Sequence, residues 1–311
     1  MRAEPSPEPY WESDDELADY DATFGERIGW KWDAVIDELR RRRWAPRGGT
    51  LLDWGCGSGI ASRRVLAAFG AATFDSLVTW DHSPLASEFA RRAAEERFPG
   101  LEVAAATSGF LSGGDQIGLL VVSHVVNELP PSALDEIRLL VARSAAVLWV
   151  EAGARETSRA LGALRDAWSR DFTVVAPCTH GNLCPILSPG NEPHWCHHFA
   201  CPPPGIFADS HWVKFAQRAG IDLRSLPYSF IALDRKGMSP ETGLSRIIGR
   251  PEHFKPYVRF LNCDSTGLAE LTVAKRANAA LCKELARPRH PLVYRWIRDG
   301  GSVTGGTALP P

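Results

Sequence analysis

Nowhere in the 311 residues does an apolar run reach the roughly 18 residues that a membrane-spanning helix needs, so no membrane span is expected. The N-terminal stretch MRAEPSPEPYWESDDELADYD lacks both the apolar core of a secretory signal and the arginine-rich, acid-poor character of a transit peptide. A cytoplasmic location is the expectation. No G-x-x-x-x-G-K-[ST] pattern occurs, which removes the P-loop nucleotidases. None of the seven cysteines stands in a C-x2-C pair, so the paired ribbons of common zinc modules are missing as well. An odd number of cysteines in a reducing compartment argues against a disulfide framework and for metal ligation or burial. The N-P-P-Y type motif of amino-group methyltransferases is also lacking.

With 44% hydrophobic and 23% charged residues, the chain reads as globular, with one large or two ordinary domains. A net charge of −2 conceals an asymmetry: residues 1–33 carry ten acidic against three basic side chains, and residues 246–298 carry eleven Lys/Arg against four acids. A basic segment of that kind can meet phosphate backbones.

Thr50–Ala61, TLLDWGCGSGIA, is a short apolar strand running into Asp53, Gly55, Gly57 and Gly59 and then a helix. Glycines let backbone approach a ligand, and the helix N-terminus offers free N–H groups. The pattern is D-x-G-x-G-x-G, not the dinucleotide G-x-G-x-x-G. An acid before the first glycine would repel a pyrophosphate and suits the cationic amino acid end of S-adenosylmethionine. A second strand, Ser76–Trp80, ends at Asp81, placed to accept both ribose hydroxyls. Cys56 reads as a small filler in the loop. Further strands at Ile117–Ser123 and Ala145–Val150 are continuous apolar runs, as in a parallel sheet buried on both faces. Helices are expected at Ile28–Trp44, Leu85–Arg97, Ser132–Arg143 and Thr157–Ser169. The fold class is therefore α/β, a doubly wound Rossmann-like sheet. Ser123 should face the cofactor; His124, Asn127 and Glu128, at the end of that strand, are candidates to position an acceptor or act as a base. Arg40–Arg43 read as cations complementing the helix dipole.

Ala176–Cys201, APCTHGNLCPILSPGNEPHWCHHFAC, holds four cysteines and four histidines in an irregular Pro/Gly-rich loop. So long a structureless loop needs something to hold it, and thiolates and imidazoles hold metals. Four thiolates suit tetrahedral zinc or a cubane iron–sulfur cluster, and the ligands alone do not choose. Tyr257–Cys263 and Leu268–Ala274 form an expected hairpin, read as the antiparallel closure of the sheet.

Four segments together, LLDWGCGSG, SHVVNEL, LWVEAG with SRALGALRDAW, and APCTHGNLCPI…WCHHF, resemble the methyltransferase-like assembly factors of the small ribosomal subunit, within the class I S-adenosylmethionine-dependent methyltransferase superfamily. RIIGRPEHFKPYVRFLNCDSTGLAELTVAKR extends the resemblance over roughly residues 50–280. It implies a class I methyltransferase sheet with a Cys-rich metal-binding insertion, association with small-subunit ribosomal RNA, and a 4Fe–4S cluster on Cys178, Cys184, Cys196 and Cys263. Cys201 is then the reserve ligand, His180, His197 and His198 neighbours of the site, and Trp195 and Phe199 its apolar cover. An active methyltransferase with zinc in the cysteine site is the alternative. The expected organisation is an acidic tail (1–25), a cofactor-binding core (26–175), the cysteine loop (176–205), closing strands with a basic region (206–298) and a loose end (299–311).

Overall fold

The computed structural model describes residues 11–288 and 291–310, with the side chains of Glu128 and Pro131 excepted. Its apolar strands build one mixed sheet. In chain order these are β1 (Thr50–Trp54), β2 (Ser76–Trp80), β3 (Glu102–Ala105), β4 (Ile117–Ser123), β5 (Ser144–Ala152), β6 (Thr173–Ala176), the short β7 (His198–Phe199) and β8 (Pro227–Asp234). The spatial order is β3-β2-β1-β4-β5-β8-β6, with β7 also on β8. The first five are parallel, and β8 runs antiparallel to both β5 and β6. This is the class I methyltransferase sheet. Leu51, Leu119 and Val121 pack on one face while Leu52, Leu120 and Val122 pack on the other, the period of two that a doubly covered strand requires.

The helices are α1 (Asp14–Tyr20), α2 (Glu26–Arg41), α3 (Ile60–Phe69), α4 (Pro84–Arg97), α5 (Ser108–Ser112), α6 (Pro131–Ala142), α7 (Arg155–Trp168), α8 (Ser210–Ala219) and α9 (Ala279–Ala286). α2 and α3 cover one face of the sheet through Trp32, Val35, Leu39 and Val65; α6 and α7 cover the other through Ile137, Leu140, Leu161 and Trp168. The expected tail is different where it is described. Asp14–Tyr20 is helical, and a π-helical turn at Asp21–Gly25 carries it into α2. Its acidity belongs to a helix start: Ser13 caps the Glu16 N–H at 3.2 Å, and Asp14, Asp15 and Glu16 meet the positive end of the dipole. Residues 1–10 of that expected tail lie outside the described residues.

The C-terminal third corrects the sequence reading. The hairpin forms, as β10 (Tyr257–Asp264) and β11 (Gly267–Ala274), but it does not close the sheet. That role falls to β8, whose YSFIALD is buried from end to end. β10 instead alternates, with Val258, Phe260 and Asn262 inside and Tyr257, Arg259 and Leu261 more exposed, the pattern of a barrel wall. With β9 (Ser245–His253), β12 (Val293–Asp299) and β13 (Ser302–Ala308) it forms a closed barrel in the order β9-β10-β11-β13-β12-β9. All neighbours are antiparallel except β11 and β13, and α9 lies between the third and fourth barrel strands. That is the OB-fold topology. The expected loose end, 299–311, thus supplies a barrel strand, with Val303 in the barrel core beside Leu271, Leu281 and Tyr294. Cys282 belongs to the same core.

Candidate functional site

The glycine loop follows β1 as expected. Gly55, Gly57 and Gly59 all take positive φ (69°, 51° and 78°). A Cβ on Gly55 would stand 2.7 Å from Val125 and one on Gly59 2.8 Å from Ala90, whereas one on Gly57 would meet nothing within 4 Å. Gly57 is thus the open position of the loop. Asp81 faces it: its Oδ2 accepts from Gly57 N–H at 2.9 Å and its Oδ1 from Ser83 N–H at 2.9 Å. Asp53 lies beneath the loop with no exposed surface. Its Oδ2 accepts from the Ser62 hydroxyl at 2.5 Å and fastens the loop to α3, while Oδ1 is buried without a partner. Burial pushes the Asp53 carboxyl up to about 6, against the Ser62 hydrogen bonds that favour its ionised form. Cys56 is buried in the loop, and its N–H donates to the Trp80 carbonyl at 2.9 Å.

At the C-terminal end of β4 the Trp32 indole N–H donates to Ser123 Oγ at 2.9 Å. His124, held at φ 57°, places Nδ1 3.2 Å from that hydroxyl and Nε2 3.0 Å from Lys31 Nζ. Glu151 anchors the turn, accepting from Val125 N–H and Val126 N–H at 3.0 Å and from the Trp149 indole at 2.6 Å. Asn127 is engaged, its Oδ1 accepting from the Thr157 hydroxyl at 2.8 Å. The Glu128 side chain lies outside the described residues. Lys31 was not among the sequence candidates; it stands between Trp30 and Trp32, both of them buried.

Burial, with Arg27 adding, lowers Lys31 to about 8 against the opposing pull of Glu151, and burial with Lys31 holds His124 well below its ordinary value. The folded lysine therefore releases its proton more readily than the unfolded one at 10.5, and its contribution to stability rises with pH across the window from about 8 to 10.5. Replacing Lys31 by methionine is expected to change the melting temperature more favourably at pH 7 than at pH 10; an equal difference at both would contradict the buried cation.

The cysteine loop runs between β6 and β7. So long an irregular, partly buried segment has carbonyls with no ladder to join, and arginines satisfy several of them. Arg159 donates to the carbonyls of Ile186, Asn191 and His194. Arg42 reaches those of Val175, Pro177 and Cys178, each at 3.1 Å. Arg165 reaches Asn182 at 2.6 Å and His180 at 3.1 Å, and Arg246 reaches Pro177 at 2.6 Å. Glu38, with no exposed surface, pairs with both Arg42 and Arg246.

Cys178, Cys184 and Cys196 line one recess of about 310 Å³ of atom-free space, together with Arg165 and Gly162 of α7 and Phe230 of β8. Cys263 comes from β10, its Sγ 3.9 Å from His180 Nε2. Burial, then Cys178 and Cys184, raises the Cys263 thiol; Cys196 is raised by burial and then by the other three. Cys263 thus lies near the loop thiols, although it does not line the recess they form. Among the described residues, however, no three His, Cys, Asp or Glu side chains form a group able to hold a metal ion. Cys201 is apart, exposed, with Sγ 3.7 Å from the Pro288 carbonyl. His198 is buried, with Nε2 3.7 Å from Cys196 Sγ. His197 instead faces the barrel and stacks on Trp195 at 4.7 Å.

Cations surround the thiols. Arg165 is 1% exposed, and its Nε is buried without a partner. Burial opposes its charge, but Cys178 and then Asp166 outweigh that and raise its pKa. Arg42 and Arg246 share the single carboxylate of Glu38. The sequence did single out Arg40–Arg43, but as dipole complement. Arg165 was legible in another way: Leu161, Arg165 and Trp168 stand on one helical face, putting an arginine where the pattern asks for an apolar side chain.

Among solved structures the chain is similar to TrmK of M. capricolum in complex with S-adenosyl-homocysteine, at 8% identity over 65% of this chain and 69% of that one, with a TM-score of 0.35. It is also similar to TehB of Haemophilus influenzae (14% identity, 65% and 61% covered, TM-score 0.39). A third is the magnesium protoporphyrin IX methyltransferase of Synechocystis PCC 6803 with bound SAM (18%, 56% and 82%, TM-score 0.37). A comparison with curated proteins gives no match. No helix among the described residues is long and apolar enough to cross a membrane. The family model described as mitochondrial small ribosomal subunit Rsm22 matches residues 32–299, and the chain belongs to that family.

Proposed function

We propose that this protein is an assembly factor of the small ribosomal subunit that binds ribosomal RNA, keeps an S-adenosylmethionine site at the glycine loop, and carries a structural 4Fe–4S cluster. The observation that carries the reading is the cysteine recess. Cys178, Cys184 and Cys196 line it with the buried Arg165, the Cys263 thiol of β10 lies near enough to interact with them, and the buried Arg42 and Arg246 add positive charge beside the same thiols. Cys178, Cys184, Cys196 and Cys263 would be the ligands. Tetrahedral zinc, with four thiolates about 2.3 Å from one centre, is the alternative occupant. A cubane spreads its ligands more widely and, with four thiolates, is anionic. That charge suits the cationic surround, and the unpartnered Arg165 Nε is one donor available to it.

For the nucleoside, Asp81 and the open Gly57 are the matching positions, and Asp53 supports the loop from below. The Lys31–His124–Ser123 chain favours a second reading, an active methyltransferase on RNA or a small molecule, because it puts a low-pKa amine and a neutral imidazole where a doubly wound sheet binds its ligands. Anaerobic purification followed by iron, sulfide and zinc analysis and a visible spectrum tests the primary reading. A brown protein with about four irons per chain is expected. A colourless protein with one zinc would end the cluster assignment. Co-sedimentation with small subunits should weaken steeply with added salt, since phosphate contacts release counterions.

A further inference from the structure

The barrel and the cysteine loop meet along β9. His197 O accepts from Gly249 N–H at 2.9 Å, and Gly249, at φ 70°, leaves room for the imidazole: a Cβ there would lie 3.0 Å from the ring. Beside this seam is a solvent-open recess with about 720 Å³ of atom-free space. Trp195 and His197 of the loop and Arg250, Glu252, Arg259 and Glu270 of the barrel are among its lining.

We propose that this recess and the adjoining β9–β10 turn form a track for single-stranded RNA; the inference rests on the RNA-binding reading above. Aromatic rings and cations alternate along it. Trp195 and His197 are near-parallel, at 4.7 Å and 18°. The Arg250 guanidinium lies 4.0 Å over Phe199. In the turn, Phe254 is 38% exposed and stacks on Tyr257 at 4.7 Å, with Arg259 5.2 Å above it. Lys255 is exposed beside Phe254, and Lys275 is joined to the same turn by its N–H to the Pro256 carbonyl at 2.9 Å. Arg259 is already neutralised by Glu252 and Glu270, so phosphates would be met by Arg250, Lys255 and Lys275.

Partly exposed rings interleaved with cations, Phe254 the most open of them, suit unpaired nucleotides, whose bases are free to stack, whereas duplex bases already stack on one another. The barrel topology agrees, since OB-folds bind oligonucleotides on the face made by their second and third strands, here β10 and β11, with the loop between strands one and two. Topology alone does not assign function; the side chains on this face carry the assignment.

The test uses the full chain, purified anaerobically, with fluorescence anisotropy against a short oligouridylate and an RNA duplex of the same length. The wild type should prefer the single strand. Phe254→Ala should weaken that binding about tenfold or more, and Arg250→Glu should weaken it while reducing its salt dependence. Both positions are exposed, and unchanged melting temperatures separate these losses from misfolding. Preference for the duplex, no binding by the wild type, or variants that bind like the wild type would overturn the proposal. Co-sedimentation with small subunits is read separately. Variants that lose oligouridylate binding yet sediment normally leave the assembly role standing and remove this face from docking. Variants that lose sedimentation while the wild type binds no free RNA assign the face to a protein. Oligouridylate binding that depends on Phe254 in a protein that never sediments with subunits supports the track and contradicts the assembly role.

Discussion

Cys263→Ser is expected to yield a protein depleted in iron, without the broad visible absorption, and melting about 10 °C or more below the wild type. The expectation follows from where this thiol originates. Three of the four candidate ligands belong to one loop, whose carbonyls arginines already bind; the fourth stands on a barrel strand 67 positions beyond Cys196. A group bound by all four joins the sheet to the barrel, and its binding free energy is then folding free energy for both. Losing one thiol removes that metal-borne link and leaves the seam to the Gly249–His197 and Arg246–Pro177 hydrogen bonds and the Arg246–Glu38 pair. Cys201→Ser is the matched control, because Cys201 is exposed and its Sγ lies 3.7 Å from the Pro288 carbonyl; it should retain iron and melt like the wild type. Full iron content and an unchanged melting temperature in Cys263→Ser would dismiss Cys263 as a ligand, and loss of iron in Cys201→Ser would restore the local alternative.

Glu38→Ala should destabilise the protein by about 3–5 kcal/mol, the cost typical of stripping one partner from a buried ion pair. Glu38 has no exposed surface and is the carboxylate between Arg42, at 2.9 Å, and Arg246. Its loss leaves two guanidiniums side by side in the interior, both still tied to loop carbonyls and unable to turn toward water. Arg246→Met in the same background should recover part of the loss by removing one of the two like charges, a non-additivity that a double-mutant cycle measures directly. Denaturant unfolding supplies the number. A single-mutant loss below about 1 kcal/mol would mean that the cluster of charges is solvated rather than buried.

The strands of the methyltransferase sheet were legible because a strand buried on both faces writes itself as an uninterrupted apolar run, as in IGLLVVS and SAAVLWVEA. The glycine loop was legible because it is a backbone requirement: Gly55 and Gly59 have neighbours where a side chain would be. The cysteine loop announced itself by composition. The barrel did not. Its closure depends on pairings such as Arg246 with Val293 and Thr272 with Ser302, thirty or more positions apart, which no local pattern encodes. The segment SVTGGTA looked loose because of its glycines, yet Gly306 lies beneath the Trp296 ring, where a Cβ would come within 2.5 Å. Glycine there permits close packing rather than freedom. The acidic start was misread in a similar way, its charge being the first turn of a helix whose S-x-x-E signature was present at Ser13–Glu16.

The parallel pairing of β11 with β13 also sets an order in time. During synthesis Cys178, Cys184 and Cys196 emerge first, Cys263 follows, and the strand that closes the barrel comes roughly forty residues later, a delay of seconds at ~5–20 residues per second. The sheet has all its strands once Asp234 is out, so it can fold while the barrel is still being made. The nascent chain thus passes through an interval with three thiols gathered beside a finished sheet and the fourth on an unpaired hairpin. A group bound by all four thiols would consequently be completed late, as the barrel closes.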